Sequence, residues 1–152
     1  MIENKSKVKI SPAVIYYLAC FLLWVLVDLG TAGGFGLSYS AKYGPTLLIF
    51  YLGYPLVFTF LVYTVHWGEK KLLLATLVAI FIVEVIFTRN PLVMTFPVCL
   101  LGIPLAILIY APLTYFPLWY VRKEMGKHKA IVVFLVICEL AVMGLTTFGN
   151  SR

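Results

Sequence analysis

Residues 46–67 read TLLIFYLGYPLVFTFLVYTVHW and contain no Asp, Glu, Lys or Arg. A helix needs roughly 20 mostly apolar residues to cross a hydrocarbon core about 30 Å thick, and this stretch supplies them. A helix also satisfies its own backbone hydrogen bonds in lipid. Four similar apolar runs flank it, and the predicted spans are residues 13–30, 46–67, 72–88, 96–121 and 130–148. The sequence therefore predicts an all-α, polytopic membrane bundle of five transmembrane helices, forming a single domain over residues 1–152.

The overall composition agrees with a membrane protein. Hydrophobic residues make up 62% of the 152 and charged residues 12%, and the mean hydropathy is +1.01. A soluble domain is about half apolar and a quarter charged, so the composition argues against a water-soluble enzyme. The net charge of +6 lies in short groups between the apolar runs rather than along a stripe. We therefore expect the lipid bilayer as a partner and no nucleic acid.

The basic residues predict the orientation, because Lys and Arg near span ends resist translocation. An N-terminus on the inner side leaves three basic residues outside, Lys42, Arg89 and Arg152. It places nine inside: Lys5, Lys7, Lys9, Lys70, Lys71, Arg122, Lys123, Lys127 and Lys129. The prediction is thus N-in and C-out, in the plasma membrane. The first run is too long for the apolar part of a cleavable signal peptide and is interpreted as a retained anchor.

The fourth apolar run contains four prolines, Pro97, Pro104, Pro112 and Pro117. Each removes a backbone donor, which kinks or interrupts a helix. The sequence therefore predicts a proline-kinked fourth span preceded by an interfacial segment at its outer end. A short re-entrant piece near residues 91–102 is the alternative.

Four ionisable residues lie within or at the ends of apolar runs: Asp28, Glu84, Arg89 and Glu139. Such a group costs about 2.5 to 3.5 kcal/mol at a helix centre and usually faces a cavity or a partner. Depths counted along the spans at about 1.5 Å per residue predict that all four converge in the outer half of the bundle. Asp28 and Arg89 are expected at similar depth and in contact. In the alternative interpretation Arg89 extends outward to the interface and Asp28 lies there alone.

Helical spacing predicts which side chains line the interior. The first span places Tyr17, Phe21, Trp24 and Asp28 on one face, and the third places Leu77, Phe81, Glu84 and Thr88 together. Val132, Leu135, Glu139 and Met143 share a face in the fifth span. The second span has its most polar face along Tyr51, Pro55, Thr59, Tyr63 and His66. The predicted cavity lining is Tyr17, Phe21, Trp24, Tyr51, Thr59 and Tyr63.

Carboxylates in a cavity lined by aromatic side chains and hydroxyls are typical of a proton or cation path. The leading interpretation is a small transporter or channel-like bundle, or a subunit of a membrane complex, with no cofactor. The alternative is an enzyme that acts on a lipid or isoprenoid, with Glu84 or Glu139 as general acid at the end of a closed apolar tunnel.

A purely structural role is a third interpretation. Gly30 and Gly34 have the spacing that lets helices approach closely, which favours a homo-oligomer or packing against other membrane subunits. His66, Glu69 and His128 lack the spacing of a ligand signature, so no metal is predicted. Cys20, Cys99 and Cys138 lie inside apolar runs and are interpreted as buried apolar residues.

Overall fold

The computed structural model describes residues 10–31, 37–87 and 89–149, and side chains for residues 10–27, 49–87 and 89–144. Within these residues the chain forms helices and no strands, which confirms the all-α prediction. The helices are α1 (Pro12–Thr31), α2 (Leu37–Tyr63), α3 (Glu69–Ile80), α4 (Pro91–Met94), α5 (Cys99–Val121) and α6 (Lys129–Gly149), with α3 continuing as a π-helix over Phe81–Phe87.

Helix α5 is the centre of the structure. It packs against α1, α3, α4 and α6, and α1 also packs against α2 and α6. Tyr16 near the start of α1 meets Tyr63 at the end of α2 edge-on, with ring centroids 5.8 Å apart. At the same end of the molecule the Tyr115 hydroxyl, late in α5, donates to the Glu69 carbonyl oxygen at the start of α3 (2.8 Å). Successive long helices therefore run in opposite directions.

One end of the bundle thus gathers the start of α1, the α2–α3 connection and the α5–α6 connection, and we call it the basic end. Six of the seven Lys and Arg residues with described side chains lie there: Lys70, Lys71, Arg122, Lys123, Lys127 and Lys129. The seventh, Arg89, follows the π-helix at the opposite end. The predicted grouping of basic residues from separate connections is therefore present in the fold.

Helix α1 shows how the interior and the surface differ. Its buried positions are Tyr16, Cys20, Trp24 and Val27, which recur at helical spacing. Its opposite face carries Val14, Leu18, Leu22 and Leu26, which are 47–58% exposed. The outward face of this helix is therefore more apolar than the inward one.

Counting only residues with described side chains, α5 (Cys99–Val121) is the one helix long and apolar enough to cross a membrane. The parts of α1 and α2 with described side chains, Pro12–Val27 and Ile49–Tyr63, are apolar but shorter. The five-span bundle therefore stays a prediction.

The proline-rich part of the chain forms two helices. Pro104, Pro112 and Pro117 lie inside α5, which continues from Cys99 to Val121, whereas α4 is a separate short helix that packs on α5 and on the π-helix. A Cβ atom at Gly102 would overlap the Leu92 carbonyl oxygen. This close backbone approach is possible because glycine has no side chain.

Candidate functional site

Thr114 on α5 is the centre of a buried polar cluster. Its Oγ1 shares hydrogen bonds with Tyr54 Oη of α2 (2.8 Å) and with Thr76 Oγ1 of α3 (3.3 Å). Its carbonyl oxygen accepts from Tyr16 Oη of α1 (3.2 Å). Three helices are thereby connected to α5 through one residue. Thr114 was not singled out from the sequence, although its position between Pro112 and Pro117 marks a place where backbone hydrogen bonding is interrupted.

Glu84 lies in the π-helix, and both of its carboxylate oxygens accept hydrogen bonds. Oε1 accepts from Tyr110 Oη (2.7 Å) and Oε2 from Asn90 Nδ2 (2.8 Å). Asn90 is fixed in turn, because its Oδ1 accepts from the backbone N–H of Leu92 and caps α4. The carboxylate is thus held between α5 and the start of α4. Tyr110 and Asn90 were not singled out from the sequence either.

Glu139 on α6 contrasts with Glu84. It is 8% exposed, and neither carboxylate oxygen has a hydrogen-bond partner within the part of the chain that the structure describes. Trp24 Nε1, on α1, is a buried donor that likewise lacks a partner there. Buried polar atoms in folded proteins are paired in the great majority of cases. Glu139 can therefore take up a proton, accept from water or bind a small cation, whereas the indole N–H of Trp24 only donates and so suits a water molecule or another acceptor.

Trp24 and Glu139 lie at comparable heights in the bundle. Helices α1 and α6 both begin at the basic end and pack against each other. At about 1.5 Å per residue, Trp24 lies roughly 18 Å from the start of α1 and Glu139 roughly 15 Å from the start of α6. The Trp24 ring is held in place by stacking on Tyr54 (centroids 5.0 Å apart) and by edge contacts with Tyr51 and Tyr110.

The predicted convergence of Asp28, Glu84, Arg89 and Glu139 stays a prediction, and the structure describes the side chains of three of these residues. Glu84 and Glu139 share no hydrogen bond, since Glu139 has no partner among the described residues. Arg89 is exposed and adopts a left-handed backbone conformation (φ 49°) between the π-helix and Asn90. The side chain of Asp28 lies outside the described residues, so its contact with Arg89 stays a prediction.

The predicted lining faces lie close to the buried faces but do not coincide with them. Trp24 is buried, whereas Tyr17, Phe21, Tyr51, Thr59 and Tyr63 are half-buried and His66 is exposed. On α2 the buried line is Tyr54, Phe58 and Val62, with Pro55. On α3 and the π-helix it is Leu72, Thr76, Ile80 and Val83, whereas Leu77 and Phe81 face outward. The α6 face agrees: Leu135 and Glu139 are buried, and Val132 and Met143 are half-buried.

A second cluster of polar side chains lies at the basic end. Glu69 Oε1 accepts from Trp119 Nε1 (3.2 Å) and lies 3.9 Å from Arg122, and the His128 ring stacks on Trp119 with centroids 4.2 Å apart. Lys127 donates to Glu124 (2.9 Å), and this hydrogen bond lowers the pKa of Glu124.

Candidate metal ligands at this end differ from the set considered in the sequence. Ligand atoms of Glu69, Glu124 and His128 lie within 4.8 Å of one another. The structural set therefore contains Glu124 in place of His66. His66 instead has its Nδ1 3.0 Å from the Thr64 carbonyl oxygen. Arg122 and Lys127 already pair with the two carboxylates, so the arrangement fits an ion-pair network that joins α3 to the α5–α6 connection.

An apolar groove of about 290 Å³ separates α2 from α3 and the π-helix. Its lining includes Val57, Leu61, Trp67, Leu74, Val78 and Ile82 and no carboxylate. It contains none of the six residues predicted to line a cavity. The groove therefore does not match the closed tunnel ending at a carboxylate that the enzyme interpretation requires.

No protein-family model, curated protein or solved structure matches the chain.

Proposed function

We propose that the chain is an integral membrane protein with five transmembrane helices. Support comes from the distribution of polarity: Leu18 and Leu22 face outward on α1, whereas the interior holds the polar groups of Thr114, Glu84 and Glu139. A soluble monomer rarely exposes contiguous apolar patches larger than a few hundred Å². Lipid tails favour such a surface, and intramembrane carboxyl groups face the bundle interior.

Helix lengths and charge agree with this proposal. Helices α1, α2, α5 and α6 have 20, 27, 23 and 21 residues, against about 20 needed for a span. The third span would combine α3 with the π-helix. Because the basic end carries six Lys and Arg residues, we assign it to the inner face of the plasma membrane, which gives an N-in, C-out topology.

Within this bundle we assign a proton- or small-cation-transport function, exercised by the chain alone or as a subunit of a membrane complex. The observation that carries the assignment is the buried, unpartnered carboxyl group of Glu139. An ionisable group at such depth is costly to insert and is typical of ion and proton pathways. The unpartnered N–H of Trp24 at comparable height only donates, so it supports a water molecule near Glu139 rather than the transported ion itself.

The two glutamates have different roles in this proposal. Tyr110 and Asn90 each donate to one oxygen of Glu84, so that carboxylate is held in place and positions α4 against α5. Glu139 has no such donors in the described structure and is free to exchange a proton or bind a cation. Glu139 is therefore the transporting group, and Glu84 is a positioning residue.

Proton flux into liposomes tests the assignment. The purified full chain is reconstituted with an internal pH-sensitive dye, and a potassium diffusion potential drives uptake. We expect flux in the wild type and flux at the level of protein-free liposomes in Glu139→Gln, because the amide cannot exchange a proton. Glu124→Gln is the matched control, since it makes the same chemical change in the connection at the basic end and should retain flux.

Helix content measured by circular dichroism must be equal in the three proteins, so that a loss of flux reports on chemistry rather than folding. Absence of flux in the wild type would reject proton transport by the chain alone, and an unchanged flux in Glu139→Gln would reject Glu139 as the transporting group.

A further inference from the structure

The groove between α2 and α3 extends toward one end of the bundle, and its residues identify which end. Lys71, Leu74, Val78 and Ile82 recur at spacings of three and four, so they share one face of α3 and its π-helical continuation. Leu74, Val78 and Ile82 line the groove, and Lys71 lies one turn closer to the basic end. Trp67 lines the groove at that same end.

At the basic end, the residues next to the groove carry positive charge without a matching negative charge among the described residues. Lys70 and Lys71 are exposed, and neither forms a salt bridge with any described residue. The nearest acidic residue in sequence, Glu69, is directed to Trp119 and Arg122 on the other side of α3. The apolar groove therefore ends near the ammonium groups of Lys70 and Lys71 and the indole of Trp67. This arrangement suits an amphiphile with an anionic headgroup.

The dimensions favour a hydrocarbon chain. From Leu74 to Ile82 the groove extends roughly 12 Å along α3 at about 1.5 Å per residue, slightly less than half of a hydrocarbon core about 30 Å thick. A volume of about 290 Å³ over that length leaves a mean cross-section of about 24 Å², whereas a helix about 10 Å wide occupies about 80 Å². Ala75 and Ala79 provide the space, because their small side chains face α2.

We propose that this groove is a binding site for an anionic phospholipid of the inner leaflet. One acyl chain lies along Leu74 and Val78, and the phosphate lies against Lys70 and Lys71. The site rests on the proposed membrane location but not on proton transport. Selectivity comes from the headgroup, because lipid tails are as apolar as the groove itself. Each lysine is expected to contribute about fivefold to the preference for an anionic over a zwitterionic headgroup.

Spin-labelled lipids measure this preference directly. The full chain is reconstituted in phosphatidylcholine vesicles, and electron paramagnetic resonance compares the association of spin-labelled phosphatidylglycerol and phosphatidylcholine. We expect a phosphatidylglycerol preference of about 25-fold in the wild type, and its loss in the double variant Lys70→Gln/Lys71→Gln. Lys123→Gln/Lys129→Gln removes the same charge from the same end outside the groove and should keep the preference.

A second pair of variants tests the groove itself. Ala75→Phe fills it and should reduce the motionally restricted phosphatidylglycerol signal, whereas Leu73→Phe, at an exposed position that does not line the groove, should not. No preference in the wild type, or an equal loss in both double-lysine variants, would overturn the lipid site. Dissociation of a dimer by Ala75→Phe with unchanged lipid preference would assign the groove to a second copy of the chain instead.

Failure of the membrane proposal itself is distinguishable. If alkaline carbonate releases the wild-type chain from the vesicles, the chain is not embedded and both proposals fail. If the chain stays embedded without a headgroup preference, only the lipid site is rejected.

Discussion

Thr114 lies where α1, α2 and α3 meet α5, and its hydroxyl joins two other hydroxyl groups inside an otherwise apolar interior. Tyr54 and Thr114 are both buried, so water does not replace a lost partner easily. A buried polar group left without its partner costs about 1–3 kcal/mol. The hydroxyl of Thr114 is thus expected to stabilise the packing of three helices at once.

Replacement of Thr114 by valine tests this expectation. Thr114→Val keeps the branched shape but leaves Tyr54 Oη without its 2.8 Å partner, and we predict a loss of about 1–2 kcal/mol in the free energy of unfolding. Unfolding in mixed micelles against rising dodecyl sulfate gives the measurement. Thr59→Val is the control, because Thr59 donates only within α2, to the Pro55 carbonyl oxygen. Equal losses in the two variants would contradict the role of Thr114.

Among individual residues, the sequence identifies the charged groups inside apolar runs better than it identifies which face of a helix is buried. Glu84 and Glu139 stand out because each interrupts a long apolar run. On α1, Tyr17 and Tyr16 begin two equally regular helical lines that meet at Trp24, and only the packing of α2 and α5 decides between them. The structure buries the line through Tyr16 and Cys20. The sequence pattern alone does not indicate which of the two lines is buried.

At the scale of elements, the π-helix accounts for one misplaced face. A regular α-helix would put Glu84 on the same face as Leu77 and Phe81, both of which are exposed. Hydrogen bonds from i to i+5 add a residue to the turn and rotate the positions of all later residues about the helix axis. Glu84 thereby reaches Tyr110 on α5. Nothing in the hydropathy of residues 72–88 signals this change.

The close backbone contact between α4 and α5 predicts the effect of a substitution at Gly102. Gly102→Ala would push a methyl group into the Leu92 carbonyl, so we expect a loss of about 1–3 kcal/mol in the free energy of unfolding and faster hydrogen exchange in α4. Gly53→Ala in α2 is the matched control, since no atom lies within 4 Å of its added Cβ. This control should be neutral or stabilising by up to about 1 kcal/mol, as alanine favours helix. A neutral Gly102→Ala would show that α4 does not pack as described.

For the whole molecule, hydropathy predicts most helix ends well. The runs 13–30, 72–88, 96–121 and 130–148 match α1, α3 with its π-helix, α5 and α6 to within three residues at each end. The exception is α2, which begins at Leu37 rather than at residue 46. Its first residues, LSYSAKYGP, are polar or contain Gly and Pro, so they carry no apolar signal although they are helical. The number of membrane crossings stays a prediction.

In the proposed membrane location the apolar outer faces of the helices contact lipid. Accessibility of a spin label to oxygen, which partitions into lipid, and to a nickel chelate, which stays in water, tests it in liposomes. Cys20, Cys99 and Cys138 are first replaced by alanine, and a label is placed at Leu22 or at Lys123. We predict that the Leu22 label meets oxygen but not the chelate, and that the Lys123 label shows the reverse. Chelate access at Leu22 equal to that at Lys123 would contradict the lipid contact of α1.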